Sequence, residues 1–196
     1  MTKLLLATNN KGKVREYQAL LAGIPYEMVT LSECGIITEV DETGRTYEEN
    51  ATLKAAAFAK ESGLLTLADD SGLEVNALGG EPGIRSARYA GKGVSDAEKN
   101  NFLLAKLKSI PEIKRTARFV CVIAIAAPAG KVALFSGECR GLITTAPRGK
   151  HGHGYDPVFY VPELGKTMAE LTLEEKNRVS HRARAAAKAR ERLKRF

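Results

Sequence analysis

The sequence contains no tryptophan, and aromatic residues make up 6% of it. That scarcity decides little by itself, but other absences exclude more. No run of about 18 apolar residues occurs, so no membrane-spanning helix is expected. The longest candidate, Phe119 to Ala127, has the length of a strand. The opening stretch, Met1 to Ala7, is too short for a secretory signal and leads straight into a polar loop, so it is expected to be the first strand of a core. The three cysteines, Cys34, Cys121 and Cys139, are odd in number and far apart, with neither zinc nor redox spacing. They are expected to be reduced thiols in a cytoplasm. Three histidines without ligand spacing make zinc an unexpected metal. Internal repeats and low-complexity linkers are also missing.

What is present suits a folded enzyme-sized domain. The 196 residues, 44% hydrophobic and 27% charged, are enough for one domain, or one domain with a small lobe, and for a full core. The net charge is +7, and its distribution decides how to read it. Residues 172–196 carry nine Lys/Arg against three acids, so +6 of the +7 lies in the last helical segment. The remainder is nearly neutral, which argues against a protein-wide nucleic-acid surface.

The pattern of apolar residues predicts strands over Leu4–Ala7, Tyr26–Leu31 and Leu64–Ala68, the last continuing as Leu73–Ala77 after a turn. Helices are expected over Lys11–Leu21, Thr46–Ser62 and Ser95–Ser109. In the first, Val14, Tyr17 and Leu21 share a face; in the last, Phe102, Leu103 and Leu107 point inward. Thr46 with Glu49 has capping-box spacing, and Gly63 is a stop. A long hairpin, Ala117–Ala127 and Lys131–Cys139, turns at Pro128-Ala129-Gly130. Ser32–Arg45, Leu78–Gly93 and Thr144–Tyr155 read as loops. Leu173–Lys194 reads as helix with a break near Ser180. Early alternation of strands and helices followed by a hairpin gives an α/β fold with a mixed sheet.

Several segments carry chemistry. Thr8-Asn9-Asn10-Lys11-Gly12-Lys13 lies between a strand and a helix start, where backbone N–H groups come to face an anion and Lys11 and Lys13 add charge. It lacks the glycines and Gly-Lys-Ser/Thr of the common phosphate loop, and a surface turn with two solvated lysines is the alternative. Asp69-Asp70-Ser71-Gly72 follows an apolar strand, where loops converge in α/β proteins. A carboxylate partly buried there is costly unless a cation or lysine answers it. Glu42 offers a second hard oxygen, and magnesium held by one or two carboxylates plus substrate phosphates suits so sparse a set. The alternative is a turn cap at Asp70 and a solvated Glu42. Gly152-His153-Gly154-Tyr155-Asp156-Pro157 is a turn, structural or substrate-contacting. Ser180-His181-Arg182 is a cap with solvated neighbours, or a purine or phosphate contact with Lys176 one turn before it.

Taken together and in order, these segments resemble a known family. They are Thr8 to Lys13, Glu42-Thr43-Gly44 with Glu49-Asn50-Ala51 and Lys54-Ala55, Asp69 to Leu73, Gly80 to Gly83 with Ser86 to Gly91, Gly154 to Pro157, and Ser180 to Arg182. The resemblance, from Leu4 to about Arg182, is to the Ham1-like inosine triphosphate pyrophosphatases, also called XTP/dITP diphosphatases. It implies one nucleotide pyrophosphatase domain over residues 1–196, with an elongated mixed sheet flanked by helices and two lobes with a cleft between them. It also implies a homodimer, while the missing apolar run and the confined basic charge leave neither membrane nor nucleic-acid partners expected. The implied reaction is Mg²⁺-dependent cleavage of ITP, dITP and XTP between the α- and β-phosphates. Asp70 is carried over as the catalytic acidic residue, Glu42 with Asp70 as metal ligands, and Lys13 and Lys54 as phosphate contacts. Ser71, the turn His153-Gly154-Tyr155-Asp156, Lys176, His181 and Arg182 are carried over as substrate contacts, alongside the loop residues Thr8, Asn9, Asn10, Lys11 and Gly12. The family usually has Phe where this chain has His153, and imidazole stacks on a base more weakly, with a pH-dependent charge. His181 and Arg182 are the expected donors toward a 6-oxo group. Other readings are a pyrophosphatase for a modified pyrimidine triphosphate and an RNA-binding protein using the basic last helix.

Overall fold

Leu4, Leu5 and Leu6 are fully buried and form β1 (Lys3–Leu6), which pairs in parallel with β2 (Glu27–Thr30) on one side and β3 (Leu65–Val75) on the other. The computed structural model describes residues 2–91 and 93–194. Met1 at the head of the expected first strand, Lys92 in the glycine-rich loop, and Arg195 of the basic C-terminal run lie outside the described residues, as does Phe196.

Helix α1 (Lys11–Leu20) starts where Asn10 Oδ1 accepts from the N–H groups of Gly12 and Lys13, and Tyr17 and Leu21 face the core. Helix α2 (Tyr47–Ser62) begins at Thr46, whose Oγ1 accepts from Glu49 N–H, and stops at Gly63 in the left-handed region. The Glu49 carboxylate returns to the N–H of Arg45, one residue before the cap. A Ser95–Glu98 capping box starts α3 (Asp96–Lys106). Then come β4 (Thr116–Ala126), β5 (Val132–Ile143), β6 (Phe159–Val161), β7 (Lys166–Thr167), α4 (Leu173–Val179) and α5 (His181–Leu193), the last two separated at Ser180 as expected. The strand order is β2-β1-β3-β4-β5-β6-β7 in a mixed sheet, antiparallel at β5–β6 and β6–β7, with flanking helices. Among the described residues no helix is long and apolar enough to cross a membrane.

Two compact units are built on this order. The first holds the chain up to Asp70, Cys121–Gly137 and the residues from His181 on. Its core joins Leu4, Leu6, Tyr17, Leu67, Ile123 and Ile125 to Ala185, Ala186, Ala189 and Leu193 of α5. The second holds Ser71–Val120 and Glu138–Ser180. Its core gathers Leu73, Leu103, Leu107, Phe119, Phe159, Met168 and Leu171, with the rings of Phe119 and Phe159 4.4 Å apart.

Two expectations need correction. Asp69-Asp70-Ser71-Gly72 is not a turn at a strand end; β3 runs through it unbroken. The two carboxylates are buried but answered by cations and an amide from neighbouring elements, so extended backbone carries them without looping out. Phe102 does not point inward. It is 40% exposed, with its ring edge-on to Tyr89 at 5.2 Å, and Lys106 Nζ lies 5.3 Å above its face.

Candidate active site

In the first unit, β3 places two adjacent carboxylates in different surroundings. Asp70 Oδ2 accepts from Asn50 Nδ2 at 3.0 Å, and Asp70 Oδ1 lies 4.0 Å from Lys54 Nζ. Lys54 Nζ also donates to Glu42 Oε1 and to the Asp69 carbonyl, each at 2.6 Å. Asn50 is itself fixed: its Oδ1 accepts from Gly44 N–H at 2.8 Å. A Cβ on Gly44 would stand 2.7 Å from that oxygen, so only glycine lets the Glu42–Gly44 segment lie against Asn50. Burial raises the Asp70 carboxyl above its usual value; Lys54 and Asn50 oppose the rise, and the Glu42 charge adds to it. For Lys54, burial disfavours the charge, but Asp69, Asp70 and Glu42 outweigh it and hold the ammonium form.

Asp69 is the deeper carboxylate. Its Oδ2 meets Lys13 Nζ at 2.9 Å, Arg182 Nη2 at 3.4 Å and the Cys121 thiol at 3.8 Å, while its Oδ1 is buried without a hydrogen-bond partner. Burial pushes this carboxyl up, but Lys13 and Arg182, then Lys54, outweigh it and hold it well below the usual carboxylate range. Arg182 is 1% exposed and donates its Nη1 to Glu16 Oε2 at 2.5 Å. Burial opposes its charge, and Glu16 and Asp69 more than restore it. The neighbouring Cys121 thiol is pushed up to about 12, first by burial and then by Asp69, so it stays protonated.

The second unit organises the turn at 152–156. Lys176 Nζ donates to Asp156 Oδ2 at 2.6 Å with both side chains buried, and the same oxygen accepts from His153 N–H at 2.8 Å. Tyr155 OH donates to the Ser86 carbonyl at 3.0 Å. Ser86 Oγ donates to the Gly83 carbonyl and accepts from Leu73 N–H, so the Ser86 motif is a hub tying that loop to β3 and to the turn. Ser71 lies next to Asp70 on β3, partly exposed.

The Thr8–Lys13 loop ends on Asn10, which occupies the N–H groups of Gly12 and Lys13; Thr8 Oγ1 accepts from Asn10 N–H. Thr8, Asn9 and Lys11 line a cavity of about 630 Å³ together with Val14, Arg15, Thr30 and Ser32. His181 and Arg182 open α5 and are both buried.

A model of the Ham1 family matches residues 4–192 of the chain. A protein of Geobacter sulfurreducens named dITP/XTP pyrophosphatase is 54% identical over 187 residues, covering 95% of this chain and 94% of that protein. A Desulforamulus reducens protein of the same name is 52% identical over 194 residues, covering 99% and 96%. Among solved structures, a HAM1 protein from Coxiella burnetii superimposes with a TM-score of 0.90 at 40% identity over 100% of both chains. The chain belongs to the Ham1 family.

In this Ham1 chain, sequence reasoning singled out Asp70, Glu42, Lys13 and Lys54, which the first unit brings together through Lys54 and Asp69. It did not assign Asn50, which grips Asp70, or Glu16, the buried counter-ion of Arg182. Asn50 stands in the Glu49-Asn50-Ala51 motif on the buried face of α2, and a polar residue on such a face is the signal that points to it. Gly152 also has a defined task. Its φ of +77° is in the left-handed region, and a Cβ there would collide with Asp156 Oδ2. Gly152→Ala should therefore push Asp156 off Lys176 or off His153 N–H and lower stability by about 1–3 kcal/mol. Thermal unfolding checks this, and an unchanged midpoint would remove the packing argument.

Proposed function

We propose that this protein hydrolyses non-canonical purine nucleoside triphosphates, namely ITP, dITP and XTP, to the monophosphate and pyrophosphate, cleansing the nucleotide pool. One observation carries the reading above the others: in a Ham1-family chain, Asp70 and Glu42 face the same lysine, with Asp70 fixed by Asn50.

The donor set fits a divalent metal, which we take to be Mg²⁺. Two hard carboxylates sense each other's charge, burial disfavours the Asp70 anion, and an added cation would relieve both penalties. Magnesium is held by one or two carboxylates where substrate phosphates and water complete its coordination. Glu42 and Asp70 would hold the ion, and it would supply Lewis-acid polarisation of the phosphate oxygens.

The chain's own residues do the rest. Asp70, with Oδ2 fixed by Asn50, orients a water and takes its proton as the water attacks the α-phosphorus. The raised affinity of Asp70 for protons makes it a better base than an ordinary exposed carboxylate. Lys13 and Lys54 offset the negative charge that grows on the departing pyrophosphate. The loop from Thr8 to Gly12 is assigned to the phosphates as well. Ser71, the 153–156 turn, Lys176, His181 and Arg182 are assigned to the rest of the nucleotide. A site that donates to a 6-oxo group rejects the 6-amino group of adenine, because two donors would then face each other. His181 is the donor we assign, with Arg182, held by Glu16 and Asp69, fixing the start of the helix that carries it. The same reading makes the protein a cytoplasmic homodimer without nucleic-acid or membrane partners, and free thiols at Cys34, Cys121 and Cys139 suit a reducing compartment.

Incubation with ITP, ATP and GTP, with and without Mg²⁺, tests the reading. Pyrophosphate should appear from ITP in preference to ATP and only with the metal. Release of orthophosphate, or equal turnover of all three, would contradict it.

A further inference from the structure

Gly154 is gripped at both of its backbone polar groups by one helix. Its N–H donates to Asp96 Oδ2 at 2.6 Å, and its carbonyl accepts from Asn100 Nδ2 at 3.0 Å. Asp96 and Asn100 are four residues apart on α3, so they share one helix face. Gly154 itself has a φ of +62°, a conformation that a side chain would oppose. On the other side of His153, the Asp156 carboxylate holds the His153 N–H, and the buried Lys176 ammonium holds Asp156. The backbone of His153 is therefore bracketed between one acid that fixes its own N–H and another that fixes the next peptide.

We propose that Asp96 is a positioning residue for substrate selection, holding the 153–156 turn so that the His153 ring meets the base at a fixed angle, with Asn100 completing the grip on the same peptide. This rests on the reading of that turn as a nucleotide contact. Asp96 has a cheaper explanation as an acid in the first turn of a helix, where it favours the dipole. The geometry goes further than that. An exposed helix-start acid has no need of a 2.6 Å charge-assisted bond to a residue 58 positions away. Asp96 also pairs with Lys99 at 2.6 Å, so its carboxylate is oriented before it receives Gly154. Burial opposes its charge, while the bonds from Lys99 and Gly154 N–H and the charges of Lys99 and His153 favour the ionised form and outweigh it; the Tyr155 hydroxyl also senses that charge.

The two explanations predict different measurements. The Asp96 side chain is 47% exposed, so Asp96→Ala should fold. If Asp96 positions the turn, Asp96→Ala raises KM for ITP about tenfold and lowers the ITP-over-ATP ratio of kcat/KM by a similar factor, with kcat within about twofold. Asp96→Asn keeps an acceptor oxygen for Gly154 N–H and should bring KM back to within about threefold of the parent. A change in unfolding midpoint with KM and the ITP-over-ATP ratio unchanged would overturn the inference and leave Asp96 as a helix-start acid. A parent protein that releases no pyrophosphate from ITP would overturn both this inference and the function on which it rests, so the two failures are told apart by the parent alone.

Discussion

Replacing Asp70 with Asn should lower ITP turnover by roughly 10³-fold, near the middle of the range for losing a general base. The protein should stay folded, because an asparagine can turn its own amide oxygen toward Asn50 Nδ2 and keep that bond. The variant should even gain stability at neutral pH. Burial raises the Asp70 carboxyl in the folded protein, so its favourable contribution is complete below the unfolded value and fades as pH rises through the folded one. At pH 7 the fold is holding an anion it disfavours, and the amide removes that penalty. The advantage of Asp70→Asn should shrink in acid, where the parent's carboxyl takes up its proton. The same raised value should put the acid limb of the parent's rate profile at a higher pH than an ordinary carboxylate gives. Turnover within tenfold of the parent, or a stability gain that persists unchanged below pH 4, would show that Asp70 has neither the role nor the environment described.

Arg182→Ala should be among the most destabilising substitutions in the chain. The guanidinium is the counter-ion of Glu16 and one of the cations on Asp69, all three buried. Removing one partner of such a set leaves uncompensated charge in the interior, at a loss of about 3–5 kcal/mol. For a domain of this size that lowers the unfolding midpoint by on the order of 10 °C. Glu16→Gln combined with Arg182→Met should recover much of the loss, because neither new side chain carries a charge that needs an answer. Thermal unfolding of the single and double variants decides the matter. A single variant that melts with the parent would mean the guanidinium is not the counter-ion of Glu16. The sign for Asp69 is opposite to that for Asp70. Its carboxyl lies low in the folded state, so its contribution is present above the unfolded value and disappears as pH falls toward the folded one.

The parts of this fold legible in the sequence are those whose causes are local. Thr46 and Gly63 bound α2 through contacts a few residues long, and the apolar face of α1 follows from spacing alone. The break at Ser180 is local too. What stayed hidden depends on distant partners. For Asp69-Asp70-Ser71-Gly72 the sequence points to partial burial and an answering cation or lysine, but not to whether two acids can lie inside an unbroken strand. They can, because Lys13, Lys54, Asn50 and Arg182 reach them from elsewhere in the chain. Strands β6 and β7 span three and two residues, too short for any alternation to show, and residues 156–171 carried no expected element. Asp96 carries no signal of its role in the sequence, since nothing near it along the chain reveals Gly154. The acidic pair and its lysines were legible as chemistry, whereas the division of labour between Asp69 and Asp70 required the coordinates.

The basic last helix is fastened to the rest of the first unit: at its surface Lys188 donates to the Ser136 carbonyl and Arg190 to that of Ala22, and in the interior Arg182 joins Glu16 and Asp69. Such an arrangement has a consequence for biosynthesis. A ribosome delivers Glu16 and Asp69 long before Arg182, across separations of 166 and 113 residues. During translation the emerging first unit must hold those acids in water or against Lys13, and its interior closes over them only once nearly the whole polypeptide has been made.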